Sequence, residues 1–579
     1  MLNLKKTTTL LLFNILGVVA AFSIPKTFEV NGIFFCPESD DATTVTVEKP
    51  SGNSRYEGLV NIPATVSNNG VTYTVVGIEH EAFRAQDITG VVFPKTLKKI
   101  GYYAFRGCGN LKNVVFSSDG ELEMIENYAF AACNSITNLN FPASLKVIDH
   151  HAFEDCTALK AIKWGGVEVL EKAAFKGCDS LDELDLSDNV TYIGEMCFWG
   201  CEVMSKAHLG SSVEYIGPDA FLDCHQLEEV NIPSTVKEIG YEAFRGCWYL
   251  TKIDIPDSVK EMGYGAFRYC TNLTQVTLGN SLREIPLRCF EQTPVENIVI
   301  PNSVEVIGGE AFSGCTELLD VTFGNGLKRI DDYAFLGCTR LAEVIFKEPL
   351  EEIGQGAFNG CSNLSFASIP ASTRKLHKEC FANCPSLTDV YYYATVPPNL
   401  YPLSVFAGSA PEGCKVNVHV LEGLGELFST ALGWYDIGDE YTANINVIDD
   451  IPVVAIEKIE FVESPIYCGL GEQKKAELRL LPENSFGELS WEAEDESILY
   501  VDMLTGEFIG LAEGETLLKV WVSDRPEIKA ECKVIVTNAA VGMTPDDERN
   551  DVIYDIYGRR LENLQKGINI VNGKKILVK

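Results

Sequence analysis

The stretch FRGCWYLTKIDIPDSVKEM, Phe244–Met262, holds the reading that decides the fold. Counted from Phe244, apolar or small residues fall at Cys247, Leu250, Ile253, Ile255, Val259 and Met262. Ile253 and Ile255 alternate with Lys252 and Asp254, the two-residue period of a strand that buries one face. Pro256 closes the strand, because proline has no N–H to donate to a ladder. A proline follows the strand in the same way at Pro94, Pro142, Pro233, Pro301 and Pro370. A glycine such as Gly240 or Gly263 marks the next turn. The phrase after it, a small residue, Phe and then Cys three places on, is predicted as a short helical or 3-10 piece. One unit of this kind cannot cover its own apolar face.

The chain repeats it. Between Phe83 and Phe406 the small-residue–Phe phrase occurs fifteen times, as AFRGC at Ala104–Cys108, AFEDC at Ala152–Cys156, AFRYC at Ala266–Cys270 and AFLGC at Ala334–Cys338. Successive phenylalanines stand 22 or 23 residues apart, except for the steps Phe105 to Phe130 and Phe381 to Phe406, which take 25. A period in the twenties predicts a solenoid whose repeats stack to bury a continuous core.

These residues resemble the BspA-type leucine-rich repeats of bacterial and protozoan surface proteins, whose pattern is LxxVxIPxSVxxIGxxAFxGC. The resemblance runs over roughly residues 75 to 410, with Cys197, Cys289 and Cys380 in place of the Ala and Thr293 in place of one Cys. It implies a protein-binding solenoid on a cell surface.

Nineteen cysteines are present, twelve of them three residues after the Phe and three just before it; Cys36, Cys414, Cys468 and Cys532 lie outside the register. Equivalent side chains in stacked repeats run parallel about 5 Å apart, whereas a disulfide needs Cβ atoms about 3.8 Å apart and facing each other. Zinc needs ligands that converge on one point, and a row does not converge. The expectation is a column of buried thiols acting as small hydrophobes.

Lys5 and Lys6 precede an apolar run from Leu10 to Phe22, and Ala21-Phe22-Ser23 at its end supplies small residues at its first and third places. The run is short of the ~20 residues of a membrane span and fits a secretory signal, giving residues 1–23 as signal peptide. No membrane-spanning stretch follows. Lys plus Arg total 47 against 82 Asp plus Glu, a net charge of -35, which repels nucleic-acid phosphates and favours solubility or basic partners.

The expected organisation is a β-rich cap at 24–75, the solenoid at 76–410 and a second cap at 411–450 with a strand-like Lys415–Val420 and a helical Leu421–Leu432. Residues 453–537 show short strands at regular spacing: Ile456–Val462, Lys475–Leu481, Leu489–Glu492, Thr516–Val522 and Ala530–Val536. The run from Trp491 through Ile498, Val501, Gly506 and Gly510–Gly514 resembles the bacterial Ig-like domain of group 2, which implies a β-sandwich spacer with Trp491 in its core. The tail at 551–579, with Lys566–Val571 and Gly573–Lys579, resembles the C-terminal sorting domains of Bacteroidetes; the pattern around Asn572-Gly573 is also that of a plain terminal hairpin. The fold class is therefore mostly β with short helical or 3-10 segments, a leucine-rich repeat solenoid followed by an Ig-like sandwich.

The sequence contains no GxSxG elbow, P-loop or HExxH. His150-His151 is the one histidine pair, in a turn after Asp149, and would need Asp155 or Lys172 from nearby to do chemistry. The chain reads as a non-enzyme without cofactor or metal. The better candidate is the row of outward strand residues that runs from Val92, Val115, Asn140 and Lys163 through Val299, Thr322, Ile345 and Ser368. Within it, Asp185, His208, Asn231, Asp254 and Thr277 form a polar middle, and Tyr391, with Tyr392 and Tyr393, an aromatic end. At roughly 5 Å per rung this strip is on the order of 65 Å long. The expected protein is an exported monomer, on the cell surface or secreted. It would bind a host or bacterial surface or matrix protein, not nucleic acid, through that strip. The other reading is a polysaccharide-binding or structural surface component.

Overall fold

In the computed structural model the described residues are 27–39, 43–400, 405–431, 445–452, 454–482, 485–486, 489–503, 505–523, 525–537, 553–555, 560–561, 567–571 and 574–578. The expected signal peptide lies outside them. Two compact units divide at Ile451/Pro452.

In the first unit every repeat contributes two short parallel strands. One is the expected three-residue strand, such as Lys252–Asp254, with its centre buried and its flanks exposed. The other was not foreseen: a two-residue strand such as Glu238–Ile239 or Glu261–Met262, just before the glycine turn. Each kind pairs with its equivalent one repeat on, Lys252 with Gln275 and Glu238 with Glu261, so two columns of parallel strands run along the unit. Residues 28–78 enter one column through the strands Phe28–Val30, Ile33–Pro37, Thr44–Glu48 and Val71–Ile78. At the far end Val416–Leu421 pairs with Ile445–Ile451. Between them stands Gly425–Ser429, five residues where a helix over Leu421–Leu432 was expected.

The small-residue–Phe–x–x–Cys phrase corrects the expected helical pieces. Along Tyr103–Cys108 the N–H groups alternate in direction. Those of Ala104, Arg106 and Cys108 close turns onto Gly101, Tyr103 and Phe105 three residues back, whereas those of Tyr103, Phe105 and Gly107 donate to Asn127, Ala129 and Ala131 of the next repeat. A helix would keep all of these bonds within the repeat. The alternation instead needs left-handed backbone at two places per repeat, as at Tyr103 (φ 58°) and Gly107 (φ 74°). Glycine meets that demand without the steric cost carried by Ala132 or Asp155 at the same place. The only helix among the described residues is Gly425–Ser429.

The fifteen phenylalanines form one stack. Neighbouring ring centroids lie between 4.7 Å (Phe83 to Phe105) and 5.9 Å (Phe381 to Phe406), and Phe244 and Phe267 are parallel at 5.4 Å. All are buried. Gly240 explains the glycine turns, since a Cβ there would stand 2.3 Å from the backbone nitrogen of Pro218. Backbone packs on backbone at that edge.

In the second unit, a four-stranded sheet orders Ile466–Gly469, Arg525–Thr537, Gly514–Val522 and Leu489–Ala493, and a three-stranded one orders Gln473–Lys475, Glu507–Gly510 and Leu499–Val501. Both supply one core that includes Trp491, Leu499, Phe508 and Val520. Trp491 is buried as expected, and a Cβ on Gly506 would meet its indole at 2.4 Å. Farther on, Ile553–Asp555, Arg560–Leu561, Gly567–Val571 and Lys574–Val578 pair as a four-stranded antiparallel sheet, two strands more than a plain hairpin.

Replacing Phe244 by Ala removes one ring from the middle of the stack. The expected cost is about 3–5 kcal/mol in chemical unfolding. A loss below about 1 kcal/mol would show that this ring is not part of a close-packed core.

Candidate interaction face

The structure brings the outward strand residues together in register. Asp185 stands beside His208 and His208 beside Asn231; Asp254 pairs with Thr277 and Val299 with Thr322. Ile345, Ser368 and Tyr391 continue the line. Each three-residue strand turns only its centre inward, so a second outward row, with Glu183, Lys206, Glu229 and Lys252, runs parallel to the first.

The row members differ in what they have free. Asn231 is engaged, since its Oδ1 accepts the Leu209 N–H at 2.7 Å and its Nδ2 donates to the Leu209 carbonyl at 3.1 Å. Asp254 meets Lys252 at 2.8 Å, and the hydrogen bond from that lysine holds its carboxyl below the usual range. Asp185, His208 and Thr277 are exposed.

The aromatic end needs a correction at Tyr392. Alternation along Asp389–Tyr392 sends that ring inward, where its hydroxyl donates to the Thr373 carbonyl and its face meets Phe428 edge-on at 5.8 Å. Tyr392 belongs to the core. Tyr391 is half-buried and stacks on His419 at 4.3 Å, with Phe366 at 5.5 Å on its other side; Tyr393 is half-buried. His419 is the next member of the row, paired with Tyr391, and sequence reading missed it because the step is 28 residues where 23 is usual. Its ring nitrogens face Asp450 Oδ1 at 2.7 Å and Asp389 Oδ1 at 3.1 Å. Partial burial would raise the Asp389 carboxyl, but hydrogen bonds from Thr388, His419 and Asn417 hold it low. With both nitrogens engaged, the imidazole clamps the end of the face and has no lone pair directed at a substrate.

Other chemistry-bearing groups are held by the fold. His150 Nδ1 lies 2.5 Å from Asp149, and His151 lies 3.1 Å from Glu154 and stacks on Tyr128 at 4.4 Å. Burial, ahead of the opposing pull of Glu154, lowers the His151 pKa. No group of three His, Cys, Asp or Glu among the described residues is placed to hold a metal, and none of the described helices is long and apolar enough to cross a membrane.

All nineteen cysteines are free thiols, seventeen of them buried. Each of the twelve register cysteines donates its S–H to the Phe carbonyl one repeat back, over 2.9 Å for Cys108 to Phe83 and 3.5 Å for Cys178 to Phe153. In the last copy Ser409 does the same to Phe381 at 2.6 Å, whereas Thr293 turns to Phe290 of its own repeat at 2.7 Å. Burial pushes the thiols of Cys108, Cys156 and Cys270 up to about 12. A thiol reagent at pH 8 should modify exposed Cys414 quickly and half-buried Cys36 slowly, and the other seventeen only in denaturant. Fast reaction of more than two thiols in the native chain would contradict the buried column.

Asp219 is 6% exposed. Burial first, then the carboxylates of Glu242 and Glu195, raise its pKa to about 6. The folded chain therefore holds this proton more tightly than the unfolded chain, and the associated stability is full below about pH 4 and lost as pH rises through about 6. Asp219→Asn should raise the melting temperature at pH 8 and leave it unchanged near pH 3.5; equal melting at pH 8 would refute this.

A feature that attention to the strands alone missed is a set of exposed aromatics in the return segments, among them Tyr102, Tyr241, Tyr264, Trp248 and Tyr249. Tyr241 and Tyr264 stack at 5.5 Å.

The model of the BspA type leucine rich repeat region matches in six copies over residues 76–205, 201–318 and 283–401, more than half of the chain. Among solved structures, a leucine-rich repeat protein from Bacteroides ovatus is 25% identical, with 63% of this chain and 94% of that one covered and a TM-score of 0.46. A leucine rich cell surface protein from Faecalibacterium prausnitzii is 23% identical over 63% and 94%, TM-score 0.32. The pneumococcal vaccine antigen PcpA is 18% identical over 74% and 99%, TM-score 0.36. No curated protein matches.

Proposed function

This chain belongs to the BspA-type leucine-rich repeat family, and we propose that it is an exported protein, held at the cell surface or secreted, that binds another protein through the exposed strand column of its solenoid. It acts by recognition, without catalysis. The observation that carries the reading is the face itself: outward residues from successive repeats, fixed in register by backbone pairing and backed by a continuous core. A rigid face loses little conformational entropy when a partner docks. Residues 1–23 serve as the export signal, the unit from 453 to 537 is an Ig-like spacer, and the tail at 551–579 directs sorting or attachment. Residues 24–75 and 411–450 cap the solenoid ends, as a stack with open termini requires.

A second reading, binding of polysaccharide, draws on the stacked Tyr241 and Tyr264 at the opposite end of the repeat, where rings meet solvent.

The test is a screen of the whole secreted chain against matrix proteins, bacterial surface proteins and glycans at physiological salt. Asp185→Asn with Asp254→Asn, and separately Tyr391→Ser, should weaken binding of a protein partner about tenfold or more, about 1.4 kcal/mol. Binding unchanged in both variants would sink the strand face. Glycan binding lost on Tyr241→Ser with Tyr264→Ser would favour the second reading.

A further inference from the structure

Trp248 and Tyr249 are 44% and 46% exposed. Their exposure is imposed locally, because the residues on either side, Cys247 and Leu250, are fully buried and occupy the inward positions. The fold does not require aromatic rings there. The corresponding pairs in neighbouring repeats are Asp179-Ser180, Glu202-Val203, His225-Gln226 and Thr271-Asn272. Exposed large apolar groups that the fold does not need point to a partner, and Trp and Tyr are the residues that most often anchor one.

The indole is held in place. Its ring stacks on His225 at 3.8 Å, and the Asn272 side chain donates to the Trp248 carbonyl at 2.7 Å. On the next repeat the corresponding residue is Thr271, too short to cover an indole face. Tyr249 lies three residues before the strand Lys252–Asp254, so both rings border the strand column.

That border is net negative, its carboxylates outnumbering Lys206, which lies in register between Glu183 and Glu229. Asp182, Glu183, Asp185, Glu202, Glu228 and Glu229 lie on or just before the strands of the three preceding repeats. None of these six forms an ion pair in the structure, whereas glutamates on the other strand column are paired across repeats, as Glu168 with Lys146 and Glu214 with Lys237. At Asp179, burial first and then the nearby charges of Glu202 and Asp155 raise the carboxyl above its usual range. An aromatic face beside unpaired carboxylates suits a guanidinium or ammonium group, which gains from both.

Resting on the protein-binding reading above, we propose that Trp248 and Tyr249 anchor an arginine- or lysine-rich protein segment that lies across the acidic strands of the three preceding repeats. Three rungs of about 4.8 Å make a track of about 14 Å. An extended segment of about five residues spans it, at about 3.3 Å per residue.

The experiment uses the whole chain and a synthetic ten-residue peptide of alternating Arg and Ser, with a Glu–Ser peptide as control, read by calorimetry and tryptophan fluorescence. The Arg–Ser peptide should bind saturably, and weaken at least tenfold on Trp248→Ser with Tyr249→Ser and likewise on Glu202→Gln with Glu228→Gln and Glu229→Gln. Tyr102→Ser, at an exposed ring far along the chain from this track, should leave it unchanged. All three variants alter exposed residues, and unchanged melting confirms that they fold. Equal binding by the Trp248/Tyr249 variant, equal binding of the Glu–Ser peptide, or no binding of the Arg–Ser peptide would each overturn the proposal. If a partner from the screen binds the Trp248/Tyr249 variant normally but loses affinity on Asp185→Asn with Asp254→Asn, the anchor falls and the strand face stands.

Discussion

The structure depends on one constraint: the two faces of each repeat's Phe are covered by the Phe of the repeats before and after it, as Phe105 is by Phe83 and Phe130. The N–H of Phe105 donates to Ala129 one repeat on while its ring stacks on Phe130 at 4.9 Å, so the same residue carries both the backbone and the core contact between repeats. The register thiol completes the arrangement, because Cys133 returns its S–H to the Phe105 carbonyl. Backbone polarity, aromatic burial and thiol burial are thus satisfied together at each interface between repeats. A repeat on its own would leave all three exposed, which is why stability in such an array resides in its nearest-neighbour contacts.

The same constraint creates the face. With ring, thiol and strand centres filling the interior, the flanking residues of each strand have only solvent to meet. Their register is set by the core behind them and not by their own chemistry, so Asp185, His208 and Asn231 line up although they differ in charge and shape. That separation lets the surface vary in charge and aromaticity without changing the scaffold. It also accounts for Trp248 and Tyr249, which sit at places that Thr, Asn, Asp and Ser fill elsewhere with the same backbone.

Charge is distributed unevenly over this scaffold. Along one column lysines and glutamates bridge successive repeats, as in Lys146 to Glu168 at 2.6 Å and Lys328 to Glu305 at 3.0 Å, and such exposed pairs add little stability each. On the strand face before Trp248 the carboxylates have no such partners. A net charge of -35 is therefore not a uniform coat; on that face it is an available field for steering a basic partner.

Much was legible in the chain before folding. Alternation around Ile253 and Ile255 announced the strand, the 22–23-residue period the solenoid, and the thiol positions a buried column, because each of these is local pattern or simple repetition. Three features depended on tertiary structure. The turns around Phe105 are not helical because alternate N–H groups find acceptors in the next repeat, and no local propensity reports a partner 24 residues away. Tyr392 turned into the core, and His419 joined the row in register with Tyr391 while buried between Asp389 and Asp450, because strand alternation and a 28-residue step are resolved only by the neighbours on which they pack. That Trp248 follows, rung by rung, the carboxylate-bearing strands of the three preceding repeats is likewise a matter of stacking. Sequence determined what each repeat must bury, and the stacking of repeats decided which side chains were left outside together.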